Sequence, residues 1–199
     1  MPNRPPPSET AFQIIRDEHA AVSAVLRSMT RLIERGPEDQ PERFFDVLRA
    51  MLFYIDEFPE RRHHPKESDL LFPKIARVCP ELMPVIRRLE TDHLKGEGKV
   101  RELQHLLLAW ELLGDGRRAA FVDAAQAYVR FYLDHMRAEE VQLLPAAERD
   151  LTPQDRAELD AAFRQHRDPL AGGEHEPGYE RLFTRIVMKT PAPLGVGPA

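Results

Sequence analysis

The chain has 199 residues, of which 42% are hydrophobic and 31% are charged, as expected for one globular domain with at most an appendage. Its net charge is −5, which argues against nucleic acid as a main partner, and it has no apolar run near the roughly 20 residues of a membrane span. The single cysteine, Cys79, excludes an internal disulfide and a thiolate zinc site. Residues 1–9 lack the apolar core of a signal peptide, so we expect them to be disordered and the protein to be cytoplasmic.

The first predicted helix covers about residues 10–35. Ser8 or Thr10 can cap its first turn, and Gly36 followed by Pro37 ends it. Its apolar positions recur in steps of three and four, the spacing of one helix face. This face comprises Phe12, Ile15, His19, Val22, Leu26, Met29 and Ile33. The imidazole of His19 therefore occupies a position that should be buried.

The second predicted helix begins near residue 41 and contains prolines. Its apolar face comprises Phe45, Leu48, Met51, Leu52 and Ile55, and later Leu70, Leu71, Phe72, Ile75 and Val78. Because proline lacks a backbone donor, Pro59 and Pro65 predict a bend around residues 63–65, or a restart with Pro65 in the first turn. His63 and Glu67 are four residues apart, so they lie on one side of the helix.

The third predicted helix starts after Pro80 or Pro84 and ends at a Gly-Asp-Gly turn. Its face comprises Ile86, Leu89, His93, Gly96, Val100, Leu103, Leu107 and Trp110. The next core position after His93 is Gly96, which costs a helix about 1 kcal/mol relative to alanine. This glycine leaves space beside the imidazole. Glu97, four residues after His93, borders the same face.

The fourth predicted helix covers about residues 118–149 and repeats the pattern. Its face comprises Phe121, Ala125, Tyr128, Tyr132, His135 and Glu139. Burying His135 and Glu139 without partners would cost several kcal/mol. The pattern therefore predicts that other groups in the core satisfy both side chains.

Four long amphipathic helices with short connections predict an all-α fold, an up-down-up-down four-helix bundle over residues 10–150. Residues 151–199 are predicted to be a short C-terminal helical extension, with helices over about 153–166 and 179–188. From Pro191 we expect an extended tail. The extension is expected to pack across the bundle or to contribute to a homodimer contact.

Each predicted long helix places one histidine in its core row, and two of them add a glutamate one turn later. The candidate metal ligands are His19, His63, Glu67, His93, His135 and Glu139, with His64 and Glu97 as weaker candidates. A single histidine on an apolar face is more often a satisfied structural residue. Structural histidines, however, have no reason to recur in the same row of every helix. The pattern therefore predicts a shared metal centre. Residues 63–73 and 135–145 also share the order His, Glu four residues later, two large apolar residues and Pro.

Imidazole and carboxylate ligands without thiolate suit iron, manganese or zinc. Six ligands exceed a tetrahedral zinc site and are about right for two octahedral ions bridged by carboxylates. Two carboxylates offset only part of the charge of two divalent ions, so a bridging hydroxide or oxide is expected. The histidine-rich set points away from iron storage by a carboxylate-rich, ferritin-like site.

With these residues the chain resembles the hemerythrin-like, or HHE cation-binding, family over about residues 10–148. The matching segments are Glu18-His19, His63-His64-Pro65-Lys66-Glu67 with Leu71-Phe72-Pro73, Asp92-His93, and His135 to Glu140 with Leu143-Leu144-Pro145. The resemblance implies two non-haem iron ions that bind a small diatomic ligand, oxygen or nitric oxide, or respond to redox state. The alternatives are a di-iron enzyme acting on peroxide or nitric oxide, and a protein of iron–sulfur cluster repair or iron handling. A third is a structural or partner-binding bundle whose histidines hold zinc.

Two positions depart from the oxygen-carrying hemerythrins. Those proteins have a second histidine one turn after the third-helix histidine, where this chain has Glu97. They place the fourth-helix carboxylate five residues after the histidine, which here is Glu140 rather than Glu139. More carboxylate favours oxidised iron, so the departures favour sensing or redox chemistry over reversible oxygen carriage. His64 is either an exposed neighbour of His63 or a further ligand.

Other polar residues receive weaker predictions. Three histidines are expected at the surface: His105, His166 and His175. Three carboxylates directly precede a core histidine: Glu18, Asp92 and Asp134. Most of these are expected at the surface or an interface, with a role in orienting an imidazole open for one or two. Tyr132 is expected to pack in the core or to form a hydrogen bond near the cluster.

Overall fold

The computed structural model describes residues 9–174 and 177–189. The predictions for residues 1–8, for His175 and for the tail from Pro191 lie outside this part of the chain. The described residues are mostly helical and contain no strand, which confirms the all-α prediction. Among them, no helix combines the length and the apolar composition needed to cross a membrane.

Helix α1 spans Ala11–Arg35. The side-chain oxygen of Thr10 accepts a hydrogen bond from the backbone N–H of Gln13 and so caps the first turn. At the other end Gly36 has a φ of +79°, which glycine adopts without steric strain. The predicted face is buried, and His19 is buried with it.

Helix α2 spans residues 41–78, and its prolines do not break it. Its consecutive parts are an α-helix Pro41–Ile55, a π-helix Asp56–His63, an α turn His64–Lys66, a π-helix Glu67–Leu71 and an α-helix Phe72–Val78. In a π-helix the hydrogen bonds join residues five apart, so the wider turn accommodates a proline that cannot donate to the usual carbonyl. The restart predicted at Pro65 is therefore reduced to one α turn inside a continuous helix.

Helix α3 spans Met83–Leu113 and ends at Gly114, where φ is +85°. Helix α4 spans residues 118–150. Its consecutive parts are an α-helix Arg118–Ala138, a π-helix Glu139–Leu143 and an α-helix Leu144–Asp150. The sequence pattern that α4 shares with α2 therefore has a shared backbone: in both helices a π-helical stretch begins at the core glutamate and a proline follows two residues after its end.

Two shorter helices follow the bundle. Helix α5 spans Pro153–Arg164, and its start is fixed by reciprocal hydrogen bonds between Thr152 and Asp155. Helix α6 spans Glu180–Lys189. Helix α5 packs on α1, and α6 packs on α2. The described part of the extension therefore packs against two different parts of the bundle.

The four long helices form a closed ring in which each packs on the next and α4 packs on α1. Their buried apolar side chains form two clusters. Representative residues of the first are Met29, Leu48, Trp110 and Phe121, and of the second Ile14, Phe72, Leu89 and Leu144. Along α1, α2 and α4, buried polar residues lie where one cluster gives way to the other, and α3 contributes the partly buried His93 to the same layer. The middle of the bundle is thus a polar layer between two apolar ones.

Candidate metal centre

All six principal candidate ligands lie in this polar layer. They are His19 from α1, His63 and Glu67 from α2, His93 from α3, and His135 and Glu139 from α4. The side chains of Glu67 and Glu139 are only 0% and 1% exposed. Carboxylates this deeply buried are costly unless they are paired or coordinate a metal.

Two histidines approach one side of the glutamate pair. The Nε2 atom of His63 lies 3.1 Å from Oε1 of Glu67, and that of His19 lies 3.9 Å from the same oxygen. The His19 Nε2 atom is also 3.4 Å from Oε2 of Glu139. We call His19, His63 and these two oxygens the α1–α2 half of the centre.

Two further histidines approach the opposite side. The Nε2 atom of His93 lies 3.4 Å from Oε2 of Glu67 and 3.9 Å from Oε1 of Glu139. The Nε2 atom of His135 lies 3.2 Å from Oε1 of Glu139 and 3.1 Å from the His93 Nε2 atom. We call His93, His135 and these two oxygens the α3–α4 half.

Glu67 and Glu139 each direct one carboxylate oxygen to the α1–α2 half and the other to the α3–α4 half. None of these four oxygens has a hydrogen-bond partner among the described residues. The Nε2 atom of His63 has none among them either, because its 3.1 Å contact with Glu67 lacks hydrogen-bond geometry. Buried acceptors are rarely left without a donor. The arrangement of imidazole nitrogens and carboxylate oxygens fits two cations that share both carboxylates.

In the α1–α2 half, the Nδ1 atoms of the two imidazoles, which face away from the centre and are called the outer nitrogens, form hydrogen bonds with carboxylates. The Nδ1 atom of His63 donates to Oε2 of Glu18 over 2.6 Å, and that of His19 donates to Oε1 of Glu140 over 3.0 Å. With the proton on Nδ1, each ring presents the lone pair of Nε2 to the centre. Glu18 and Glu140, which precede His19 and follow Glu139 in the sequence, thus support the ligands instead of joining them.

The outer nitrogens of the α3–α4 half have weaker partners. The Nδ1 atom of His93 lies 2.8 Å from the hydroxyl of Ser68. The Nδ1 atom of His135 lies 3.7 Å from Oδ2 of Asp92, too far for a hydrogen bond. Neither contact has the strength of the charge-assisted bonds in the other half.

His64 is buried, which corrects the reading of this residue as an exposed neighbour of His63. Its ring stacks on His93 with centroids 4.1 Å apart, and one of its nitrogens lies with Glu67, His93 and His135 in a group of potential ligand atoms within 4.8 Å of one another. The hydroxyl of Tyr132 is 2.8 Å from its Nε2 atom. Tyr132 therefore does form a hydrogen bond beside the cluster.

Glu60 is a buried residue that the sequence did not reveal. Its Oε2 atom accepts a hydrogen bond from Nδ1 of His64 over 3.1 Å, and its Oε1 atom accepts one from the hydroxyl of Tyr128, also over 3.1 Å. A Cβ atom at Gly96 would lie 2.7 Å from both carboxylate oxygens. The carboxylate of Glu60 thus fills the space left by Gly96. A glycine in a core row was the one sequence signal that something bulky lies opposite.

The structure does not bring Glu97 to the centre. It lies on the exposed side of α3 and pairs with Arg101. One turn after a buried residue, an α-helix has already rotated by about 40° beyond a full turn, and here that rotation carries the carboxylate into solvent. Asp134 is exposed as well. The other described surface predictions, His105 and His166, are also exposed.

The two shared carboxylates differ in their affinity for a proton. Burial and the negative charge of Glu67 raise the pKa of Glu139 to about 8. Burial also opposes ionisation of Glu67, but His63 and His93 outweigh it and hold its pKa well below the usual range. The pKa of His63 is raised because Glu67 and Glu18 outweigh its burial. Burial and the neighbouring imidazoles lower the pKa of His64, which favours its neutral, ligating form.

Comparison with known families agrees with this geometry. The model of the family described as hemerythrin HHE cation binding domain matches residues 10–168. The match covers the four long helices, all six principal candidate ligands, α5 and the loop that follows α5 as far as Asp168. No curated protein gives a significant match to the chain.

Proposed function

The chain belongs to the hemerythrin HHE cation-binding family, and from that premise we propose that it is a non-haem di-iron protein that binds or senses a small diatomic ligand, oxygen or nitric oxide, or redox state. The observation that carries the proposal is the pair of buried carboxylates whose four oxygens have no hydrogen-bond donor among the described residues. Glu67 lies with His19 and His63 in one group of potential ligand atoms, and with His64, His93 and His135 in another.

The proposed ligands follow the two halves. His19 and His63 would hold one ion, His93 and His135 would hold the other, and Glu67 and Glu139 would contribute to both. His64 is proposed as an additional ligand of the second ion, because its ring lies against that half and its Nδ1 proton is engaged by Glu60; ligation through Nε2 would replace the hydrogen bond from Tyr132. A bridging hydroxide or oxide would offset the remaining positive charge.

Iron is proposed over zinc because of the number and type of donors. With His64, the α3–α4 half offers three imidazoles and two carboxylate oxygens, which is one donor more than a tetrahedral zinc site uses, while the α1–α2 half offers four. Bound iron would supply open coordination positions and reversible redox chemistry. The protein supplies a dry site, since apolar clusters pack on both sides of the polar layer.

The space beside the α1–α2 half supports a small ligand. A gap of about 10 Å³ lies there, which is room for about one water molecule. Its lining includes His19, His63, Tyr132, Lys66 and Asp168. Pockets for organic ligands usually measure about 300–1,000 Å³, so a gap of this size favours a ligand of one or two atoms over an organic substrate.

Metal analysis together with absorption spectroscopy tests this proposal. Protein produced with iron should contain about two iron ions per chain, and the anaerobically reduced form should gain near-ultraviolet and visible charge-transfer bands when oxygen or nitric oxide is added. Fully iron-loaded protein without such bands would contradict diatomic binding. Isolation with zinc alone, or without metal, would contradict the di-iron centre.

Two histidine variants provide the matched comparison. His135→Ala should lower the bound iron, because it removes a ligand of the α3–α4 half. His105→Ala changes an exposed histidine of α3 and should leave the iron content unchanged. Equal iron content in both variants would remove His135 from the proposed ligand set.

A second candidate function, turnover of peroxide or nitric oxide, is favoured by the hydrogen-bonded chain Tyr128–Glu60–His64–Tyr132. Reversible binding of a diatomic ligand needs no such chain, whereas reduction of these substrates consumes protons. If the protein is an enzyme, Tyr132→Phe should slow turnover by at least about tenfold while the iron content stays the same. Absence of turnover in iron-loaded wild-type protein would contradict the enzymatic function, and only the binding function would remain.

The lone cysteine gives no support to a thiol-dependent route of iron donation. Cys79 is buried at the end of α2, and its Sγ atom donates to Oδ2 of Asp150 over 3.1 Å. That hydrogen bond and burial raise the pKa of its thiol, which disfavours the reactive thiolate.

A further inference from the structure

The loop after α5 contacts the α1–α2 half through one carboxylate. The backbone N–H of Asp168 donates to Oε1 of Glu18 over 2.9 Å. The other oxygen of Glu18 accepts the Nδ1 proton of His63. Glu18 is buried, with one oxygen fixed by the loop and the other by the imidazole. A carboxylate held at both oxygens cannot rotate without breaking one of these bonds.

The side chain of Asp168 fixes the loop itself. Its Oδ1 atom accepts a hydrogen bond from the backbone N–H of Leu170 over 2.8 Å, and its Oδ2 atom accepts one from the hydroxyl of Tyr54. Its carbonyl accepts hydrogen bonds from the backbone N–H groups of Ala171 and Gly173, both over 2.9 Å. Asp168 and Tyr54 are both buried. The loop is therefore anchored to α2 at Tyr54 and to α1 at Glu18.

We propose that Asp168 is a positioning residue for the metal centre, which holds Glu18 and through it the ring of His63. The proposal rests on the proposed ligation of metal by His63. It gives the extension a part in the centre, although it contributes none of the proposed ligands. Groups that orient a ligating histidine typically contribute 10- to 100-fold to metal affinity, so the effect is measurable.

The loop is more than an apolar cover for this half. A cover needs only volume, and an alanine or leucine at position 168 would supply it. The chain instead buries a carboxylate there, satisfies both of its oxygens, and aims the backbone donor of the same residue at Glu18. Burying such a group is costly unless its hydrogen bonds serve a fixed geometry.

Stepwise anaerobic titration of the metal-free full-length protein with cobalt(II) tests the proposal. Asp168→Ala should weaken binding at one of the two positions by about 10- to 100-fold and leave the other within about threefold. Asp168→Asn keeps an oxygen for Leu170 and a polar group for Tyr54, so it should restore affinity to within about threefold of wild type. The matched control is Asp155→Ala, which removes a buried aspartate of the same extension that pairs with Lys74 and Arg77, away from the centre.

A double-mutant cycle locates the effect. In the His63→Ala background, Asp168→Ala should cause no further loss of affinity, because the residue that it positions is gone. In the His135→Ala background the loss should persist. A further loss in the first background, or an equal loss from Asp155→Ala, would overturn the proposal and indicate an effect of general stability. Wild-type protein that binds no metal would overturn the proposed function and this inference together, whereas unchanged cobalt affinity in Asp168→Ala would overturn this inference alone.

Discussion

The two halves of the candidate metal centre use the same kinds of donor but hold them differently. In the α1–α2 half, the carboxylates of Glu18 and Glu140 accept the outer protons of the imidazoles. In the α3–α4 half, a hydroxyl lies next to one outer nitrogen, and the nearest carboxylate to the other is 3.7 Å away. A carboxylate partner makes an imidazole a stronger donor and fixes its ring. We therefore expect each histidine of the α1–α2 half to contribute more to metal affinity than each histidine of the α3–α4 half.

The α3–α4 half has a different advantage, which is a third imidazole. The ring of His64 stacks on that of His93, and its Nδ1 atom donates a hydrogen bond to the carboxylate of Glu60. One half thus combines two well-supported histidines, and the other combines two loosely supported histidines with a third. This difference leaves more coordination room in the α1–α2 half, beside the gap of about 10 Å³.

Removal of a shared carboxylate should have the largest effect because it affects both halves. Glu67→Ala should reduce the metal content from about two ions per chain to nearly none, as measured by elemental analysis of the purified protein. Glu97→Gln is the matched control and should retain the full content, since Glu97 is exposed and paired with Arg101. Retention of one ion by Glu67→Ala would show that the halves are independent.

Substitution of the residues that contact the outer nitrogens should affect the metal affinity of the two halves to different extents. Glu18→Gln weakens a charge-assisted bond to His63 and should reduce affinity at one position by about 10- to 100-fold. Ser68→Ala removes a neutral partner of His93 and should reduce affinity at the other position several-fold less. Competition with a calibrated chelator measures both. Equal losses in the two variants would mean that the two halves are equally supported.

Acidification should weaken metal binding, because the metal-free centre retains protons that the ions must displace. The pKa of Glu139 is raised to about 8, so below about pH 8 its carboxyl group holds a proton in the metal-free protein; the pKa of His63 is also raised, which favours its protonated form. Affinity should fall as pH decreases, by about tenfold per unit for each displaced proton. Calorimetry at pH 7 in buffers of different ionisation enthalpy should detect proton release. A binding enthalpy that is independent of the buffer would contradict this prediction.

The smallest predicted effects concern two glycines of α3. Gly96→Ala would place a Cβ atom 2.7 Å from the carboxylate of Glu60, and we expect a loss of about 1–3 kcal/mol in the free energy of unfolding. None of the described residues has an atom within 4 Å of the Cβ position of Gly98, so Gly98→Ala should instead stabilise the protein by up to about 1 kcal/mol. Urea denaturation of the metal-free variants measures both. Stabilisation by Gly96→Ala would show that Glu60 has room to move away from His64.

Periodicity predicted the bundle and the buried position of the principal candidate ligands because it is a property of one helix at a time. His19, His93 and His135 occupy positions that alternating steps of three and four residues bring to a single face. Pairs four residues apart, such as His63 and Glu67, also lie together by helix geometry alone. Glu97 fulfils the same spacing rule but is exposed, because spacing does not say how wide the buried face is.

The prolines show a second limit of sequence reasoning. Pro59 and Pro65 predicted a bend around residues 63–65 or a restart of the helix there, and α2 continues through this region by a π-helical stretch and one α turn. A proline removes one hydrogen bond, and whether the chain bends or widens depends on the packing around it. In α2 and α4 a π-helical stretch begins at the central glutamate, while Pro65 and Pro145 lie on the exposed sides of their helices.

The sequence by itself determined the helical class, the four-helix count and the row of histidines and glutamates in the middle of the bundle, since all of these follow from contacts within one helix. Only the tertiary structure decided what supports those ligands. Glu60 lies opposite Gly96 across two helices, and Asp168 reaches Glu18 from a loop 150 residues further along the chain. Partners this distant in sequence leave no periodic trace, because their positions depend on how separate elements pack. For the same reason the difference between the two halves of the centre became visible only in the fold.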